Sequence, residues 1–153
     1  MAHEFRSTRQ VEFHETDMAG MVHFAVFFTW MEEVEHAFMR SLDITVFHTD
    51  RGRVFTWPRV AASCEYVRPV RLTDTIEQHL RVERRGTKSL TYGVTFYHEG
   101  AVCARGQVTA VCCVRGENDT YASTELPAFV LERIEQAPDV DPTSRPDAEG
   151  VSR

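Results

Sequence analysis

The chain reads as an α+β fold, a run of antiparallel strands with one long helix on one face of the sheet. Three observations predict this. Apolar residues recur at steps of three and four from Phe24 to Leu42, the spacing of a single helical stripe. Residues 75 to 84 and 89 to 97 alternate apolar and polar side chains, the period of strands with one covered face. Glu99-Gly100 separates the second run from a third strand-like run, a hairpin signal. A helix and a sheet that each carry one apolar face bury those faces against each other.

Taken in order, residues 5 to 13 read as a first strand, with Val11 and Phe13 on one face. A small-residue turn holding Asp17 and Gly20 follows. The helix stripe is Phe24, Phe27, Phe28, Met31, Val34, Phe38 and Leu42, read as core; Glu32, His36 and Arg40 form a solvated row opposite. Thr49 to Arg53 reads as a polar loop. Residues 54 to 67 are apolar but broken by Pro58, which predicts an edge strand, a bulge or two pieces. In residues 75 to 84, Ile76, Leu80 and Val82 oppose Glu77, His79, Arg81 and Glu83. In residues 89 to 97, Leu90, Tyr92, Val94 and Phe96 oppose Ser89, Thr91, Thr95 and Tyr97. Residues 101 to 114 read as one long strand whose face is Val102, Ala104, Gly106, Val108, Ala110, Cys112 and Val114. Small residues dominate that face, so something bulky packs closely on it, and the aromatic helix is the natural candidate. Pro127 to Gln136 reads as a short helix with Pro127 near its first turn. From Ala137 to Arg153, Pro138, Pro142 and Pro146 sit among polar residues, and this tail is expected to be disordered. Residues 1–136 then form one domain.

A chain of 153 residues holds one domain with a real core. At 42% hydrophobic and 26% charged it has the composition of a soluble globular protein. The net charge of −6 argues against wholesale binding to nucleic acid, and an anionic ligand requires a local basic patch. Cys64, Cys103, Cys112 and Cys113 show no C-x-x-C pair and read as reduced core thiols. Met1 to Arg6 lacks the apolar run of a signal peptide. No stretch approaches the roughly 20 apolar residues of a membrane span. The chain is expected to be cytoplasmic.

The chemistry concentrates in Val11 to Phe24. Asp17 and His23 flank a small-residue turn, and a helix pattern follows directly. A carboxylate can act on water or on a carbonyl carbon, and the free amides of a helix start can hold an oxyanion. That combination suits hydrolysis of an activated acyl group. Asp is also a common turn residue and helix cap, and His23 can serve as a cap. His14, Asp17 and His23 match no strong zinc spacing, and no metal is expected.

The same segment resembles a known family. Glu12-Phe13, then Thr16-Asp17-Met18-Ala19-Gly20-Met21-Val22-His23-Phe24, then Trp30-Met31-Glu32 is similar to the 4-hydroxybenzoyl-CoA thioesterase branch of the hotdog-fold proteins. Tyr66-Val67-Arg68-Pro69-Val70-Arg71-Leu72-Thr73-Asp74 resembles that family's segment entering its next strand, and Lys88-Ser89 resembles a third element. The likeness spans residues 5 to 115. It implies an antiparallel sheet wrapped around one long central helix, and an acyl-CoA thioesterase that releases a free acid and coenzyme A. It implies that Asp17 is the nucleophile or general base, that amides near Phe24 form the oxyanion hole, and that His23 assists. Coenzyme A phosphates would meet Arg84, Arg85, Lys88 and Ser89 around the Gly86-Thr87 turn, and Trp57 would line the acyl pocket. No cofactor is expected, because coenzyme A is part of the substrate. A homodimer or homotetramer with sites at the interface is expected.

Two features depart from or compete with that pattern. Where the family often places an Asn shortly after His23, Ala25, Val26 and Phe27 follow, which suggests a greasier site. A related hotdog branch carries its carboxylate on the central helix, where Glu32 or Glu33 would serve, but the intact Asp17 motif favours Asp17. A non-catalytic protein that binds acyl-CoA or acyl-carrier thioesters is the alternative function, and a hydratase or dehydratase is a third. Short aliphatic, long aliphatic and aromatic acyl groups all fit the sequence.

Overall fold

The computed structural model describes residues 1–139. Its elements are β1 (Glu4–Gln10), a 3-10 turn (Phe13–Glu15), α1 (Val26–Ser41), β2 (His48–Asp50), β3 (Arg53–Thr56), β4 (Arg59–Tyr66), β5 (Thr75–Arg85), β6 (Ser89–His98), β7 (Ala101–Val111), β8 (Cys113–Arg115), a 3-10 turn (Glu117–Asp119), β9 (Tyr121–Ser123) and α2 (Ala128–Leu131). Five strands form an antiparallel sheet in the order β1-β5-β6-β7-β4, and β2-β3-β8-β9 form a second, smaller one. The larger sheet wraps one face around α1, as the hotdog resemblance implies. No helix among the described residues is long and apolar enough to cross a membrane.

The core is where the two periods meet. From α1 it takes Phe27, Trp30, Met31, Val34, Phe38 and Met39; from β5 and β6 it takes Ile76, Leu80, Val82, Leu90, Tyr92, Val94 and Phe96. Phe27 meets Phe96 edge-on with ring centroids 5.3 Å apart, and Phe38 meets Tyr92 at 6.2 Å. The small-residue face of β7 does receive a bulky partner: a Cβ at Gly106 would collide with Met31 Sδ. Side chains larger than hydrogen there would push the helix off the sheet.

Several expectations are corrected. The first strand stops at Gln10, where Val11 instead bonds to Asp74 and Thr73, and Phe13 sits exposed on the 3-10 turn. Phe24 precedes α1 and is 63% exposed, and Phe28 lies at the rim. The apolar stripe is wider in sequence than the face that meets the sheet. The polar loop at 49–53 is a hairpin, with Asp50 opposite Arg53 and positive φ at both Arg51 and Gly52, the geometry of a two-residue primed turn. The long strand at 101–114 breaks at Cys112, which bonds to Lys88 and Thr124 and passes the chain to the second sheet. The C-terminal helix spans only Ala128–Leu131, with Pro127 as its cap. Pro58 separates β3 from β4, β4 lies at the sheet edge, and a bulge falls between Arg59 and Ala61.

All four cysteines are free thiols. At the C-terminal side, the Ala137 amide donates to the Val82 carbonyl and Arg81 donates to the Pro138 carbonyl. The rest of the expected disordered tail, residues 140–153, lies outside the described residues.

Candidate active site

The turn that carries Asp17 hangs from a buried carboxylate two residues earlier. Glu15 is 5% exposed. It accepts hydrogen bonds from the Trp30 indole at 3.0 Å and the Glu12 amide at 2.9 Å, and pairs with the Arg9 guanidinium, which lies over the Trp30 ring and also meets Glu33. Burial alone would raise the Glu15 pKa; the Glu12 amide, the Trp30 indole and Arg9 outweigh it and hold the carboxyl below its ordinary value. The Glu15 carbonyl accepts the His23 amide at 2.9 Å, so one residue clasps both ends of the loop.

Between those ends the chain folds back tightly. The Asp17 amide donates to the Met21 carbonyl at 2.8 Å, and the Gly20 amide to the Asp17 carbonyl at 3.0 Å. Gly20 has φ of 75°, which a side chain would strain. The exposed Asp17 carboxylate accepts from the Ala19 amide at 2.8 Å and the Met21 amide at 3.4 Å, both on Oδ1. Asp17 is therefore the cap of its own turn, and Oδ2 has no partner among the described residues.

α1 starts without a side-chain cap and with no acidic residue in its first turn. The His23 carbonyl accepts the Val26 amide at 2.9 Å, and His23 Nδ1 accepts the Ala25 amide at 3.2 Å. The His23 ring also stacks on Phe24, with centroids 4.6 Å apart. Among the described residues the Phe24 amide meets no acceptor. Tyr66, at the end of β4, donates its hydroxyl to the Phe24 carbonyl at 2.8 Å and sets its ring edge-on to Phe27. Asp17, Phe24, Phe27, Tyr66, Arg68 and Val70 line one cleft of about 360 Å³, a volume that suits a small organic group.

Of the residues singled out in the sequence, Asp17, His23 and Phe24 come together here. The others do not. Thr75 opens β5 opposite Gln10, close to the Asp17 turn, whereas Arg84, Arg85, Lys88 and Ser89 lie around its far end. The eleven residues of β5 run roughly 33 Å from Thr75 to Arg85. Arg84 and Lys88 are exposed, but Arg85 donates to the Leu131 and Ile134 carbonyls and ties down the C-terminal segment. Trp57 is a core residue, 3% exposed, on a separate small cavity with Glu35, His36, Met39, Val46 and Arg59. Glu32 and Glu33 are exposed.

Three residues escaped the sequence reading. Tyr66 and Arg68 stand inside a quoted motif, but nothing in their spacing pointed at Phe24. Glu35 is the buried carboxylate of α1, 3% exposed and paired with Arg59 at 2.7 Å. Burial pushes its pKa up, against the pull of Arg59.

Comparison with known proteins gives the family and the fold. A family model described as the thioesterase-like superfamily matches residues 11–134. A 1,4-dihydroxy-2-naphthoyl-CoA hydrolase of Parasynechococcus marenigrum is 30% identical over 138 residues, covering 85% of this chain and 90% of that protein. The enzyme of the same name from Synechococcus elongatus is 29% identical over 126 residues, covering 81% and 90%. Among solved structures, a gentisyl-coenzyme A thioesterase superposes with a TM-score of 0.72 at 22% identity, covering 84% of this chain and 98% of that one. A 1,4-dihydroxy-2-naphthoyl-CoA thioesterase from Synechocystis gives 0.73 at 21% identity, covering 85% and 94%. These two likenesses establish the hotdog fold. With its Asp17 turn and helix start inside the matched span, the chain belongs to the thioesterase-like superfamily, a family of thioester hydrolases.

Proposed function

We propose that this protein hydrolyses an acyl-CoA thioester to a free acid and coenzyme A in the Asp17 cleft. The observation that carries the reading is the pairing of a carboxylate oxygen without a partner, Asp17 Oδ2, with an amide without an acceptor, Phe24 N–H, on one cleft wall. The thioester carbonyl carbon receives either Asp17 itself or a water that Asp17 deprotonates. The oxygen, now carrying the charge, takes the Phe24 N–H, and such a donor contributes about 2.7–4 kcal/mol to the transition state. Collapse expels the thiolate of coenzyme A: with water as the nucleophile this gives the free acid directly, and with Asp17 as the nucleophile it leaves a mixed anhydride that a water then cleaves to the free acid and the Asp17 carboxylate. A thiol pKa near ~8.5 makes the thiolate a good leaving group without general-acid help. The Ala19 and Met21 amides hold Oδ1 and so aim Oδ2. His23 supports the helix start through its ring nitrogen.

The cleft wall of Phe24, Phe27 and Tyr66 supports an aromatic acyl group over a long aliphatic one, since flat rings stack or meet edge-on against such walls. The relatives whose names specify naphthoyl and gentisyl thioesters support the same class. A second copy of the chain pairing along the open edge of β4 is the assembly the topology favours. β4 ends at Tyr66, so that partner would border the cleft and bring a basic Arg84–Lys88 turn from outside the subunit.

The test is thiol release from acetyl, hexanoyl, palmitoyl, benzoyl, 4-hydroxybenzoyl and 1,4-dihydroxy-2-naphthoyl-CoA, beside Asp17→Asn. Turnover is expected to be fastest on aromatic esters and to fall about 10²–10⁴-fold in the variant. Equal turnover in the variant would sink the mechanism. Tight binding without turnover by the parent would leave the alternative, a thioester-binding protein.

A further inference from the structure

We propose that Tyr66 is a positioning residue: its hydroxyl clamps the backbone of Phe24 so that the Phe24 amide is held ready as the oxyanion donor. This rests on the thioesterase reading for its catalytic consequence, while the clamp itself is a property of the empty site.

The Phe24 side chain is a poor anchor for its own backbone, because it is 63% exposed and its aromatic partner is the exposed His23. Backbone bonds must hold it. The peptide that contains the Phe24 N–H is held from the His23 side, where the His23 carbonyl takes the Val26 amide at 2.9 Å. The next peptide is held from the other side, where the Phe24 carbonyl takes the Tyr66 hydroxyl at 2.8 Å. Residue 24 is thus pinned at both ends, and its N–H is left over, unpaired among the described residues, on a residue that lines the same cleft as Asp17. Without Tyr66, Phe24 loses the bond that reaches it from the sheet, and its peptide to Ala25 keeps only the Ala25 amide's 3.2 Å bond to the exposed His23 ring.

The Tyr66 ring is braced on its Phe27 side, while the residue is 47% exposed on the other. The Tyr66 ring sits edge-on to the buried Phe27, centroids 5.3 Å apart, and Phe27 packs against Trp30 and Phe96 in the core. Burial first, then the neighbouring Cys64, pushes the phenol pKa up to about 12, so the hydroxyl keeps its proton and stays a donor. Reach is long in sequence, 42 residues, and short in space. The preorganisation of one amide therefore depends on the last residue of the edge strand.

Tyr66→Phe keeps the ring against Phe27 and removes only the hydroxyl. On the best acyl-CoA of the panel, kcat is expected to fall about 10- to 100-fold, the scale of a small misplacement at a reacting group, with KM unchanged. A packing role would instead lower thermal stability and leave kcat alone. In the protein without substrate, exchange of the bonded Ala25 and Val26 amides is expected to be about fivefold faster in the variant, the scale of one lost hydrogen bond. Unchanged exchange overturns the clamp even if no ester is hydrolysed. Faster exchange with parental kcat overturns the catalytic role. Failure of the parent to hydrolyse any ester overturns the thioesterase reading, and the exchange measurement still decides the clamp.

Discussion

Removing the Glu15 carboxylate should unlatch the loop that carries Asp17, and the cost can be worked from its partners. Glu15→Ala leaves the Trp30 indole N–H buried without an acceptor, because Trp30 is fully buried and its bond at 3.0 Å goes to Glu15. An unsatisfied buried donor costs about 1–3 kcal/mol. The Glu12 amide loses its cap, worth about 1 kcal/mol. Arg9 loses one of two carboxylate partners, and its side chain is only 18% exposed. Glu33 remains, so that loss stays below the roughly 3–5 kcal/mol of a fully broken buried pair. Together the variant should lose about 3–5 kcal/mol, a large share of the 5–15 kcal/mol typical of a domain. Urea unfolding measures it: at an m of roughly 2 kcal/mol/M the midpoint should fall by about 1.5–2.5 M at constant m. A pH series adds a second reading. Because the folded Glu15 pKa lies below its ordinary value, its stabilisation is present above the ordinary carboxylate range and fades as pH falls through the lower, folded value. Glu15→Ala should lack that component. A midpoint within about 0.5 M of the parent would show that the carboxylate does not hold the loop.

Two further outcomes follow from the same reasoning. Glu35 carries a raised pKa because burial outweighs Arg59, so its ionised form destabilises the fold progressively as pH rises above the ordinary carboxylate range. Glu35→Gln should therefore gain stability relative to the parent as pH rises above the ordinary carboxylate range; Arg59 keeps the Trp57 carbonyl at 2.6 Å and partial access to solvent. A gap that closes or reverses toward high pH in thermal melts would refute this. For the open β4 edge, light scattering should give twice or four times the 17.5 kDa chain mass, and a monomer at working concentration would refute pairing along it.

The fold was legible wherever an element was long enough to show its period. The ten or eleven residues of β5 and β6 display their alternation, and Glu99-Gly100 adopts positive φ at both positions as a primed turn requires. β2 and β3, at three and four residues, are too short for a period to emerge, so their hairpin read as a polar loop. The break at Cys112 was hidden because small residues continue on both sides of it, and only the bonds to Lys88 and Thr124 mark the change of sheet. Glu35 did leave a signal. It lies four residues after Met31 and four before Met39, inside the buried stripe, and a charge at that register demands a partner.

The site divides along a physical line. Asp17 was legible as a candidate because a carboxylate is a side chain, at a turn whose residue types are restricted. The oxyanion donor proposed for Phe24 is a backbone amide, which every residue except proline carries, so residue type cannot mark it. Only the helix pattern after His23 pointed to Phe24. What prepares that amide is less legible still. Glu15 clasps the loop through its carbonyl as well as its carboxylate, and Tyr66 reaches the Phe24 carbonyl from 42 residues away. Neither bond to the backbone constrains the residue at its accepting end, so neither produces a motif there. The basic turn at Arg84 to Lys88 presents the converse case: its residue types are conspicuous, yet it lies at the opposite end of β5 from the residues that pair with the strand before the Asp17 turn. Sequence names the groups able to do chemistry, while strand length and register set how far apart the fold holds them.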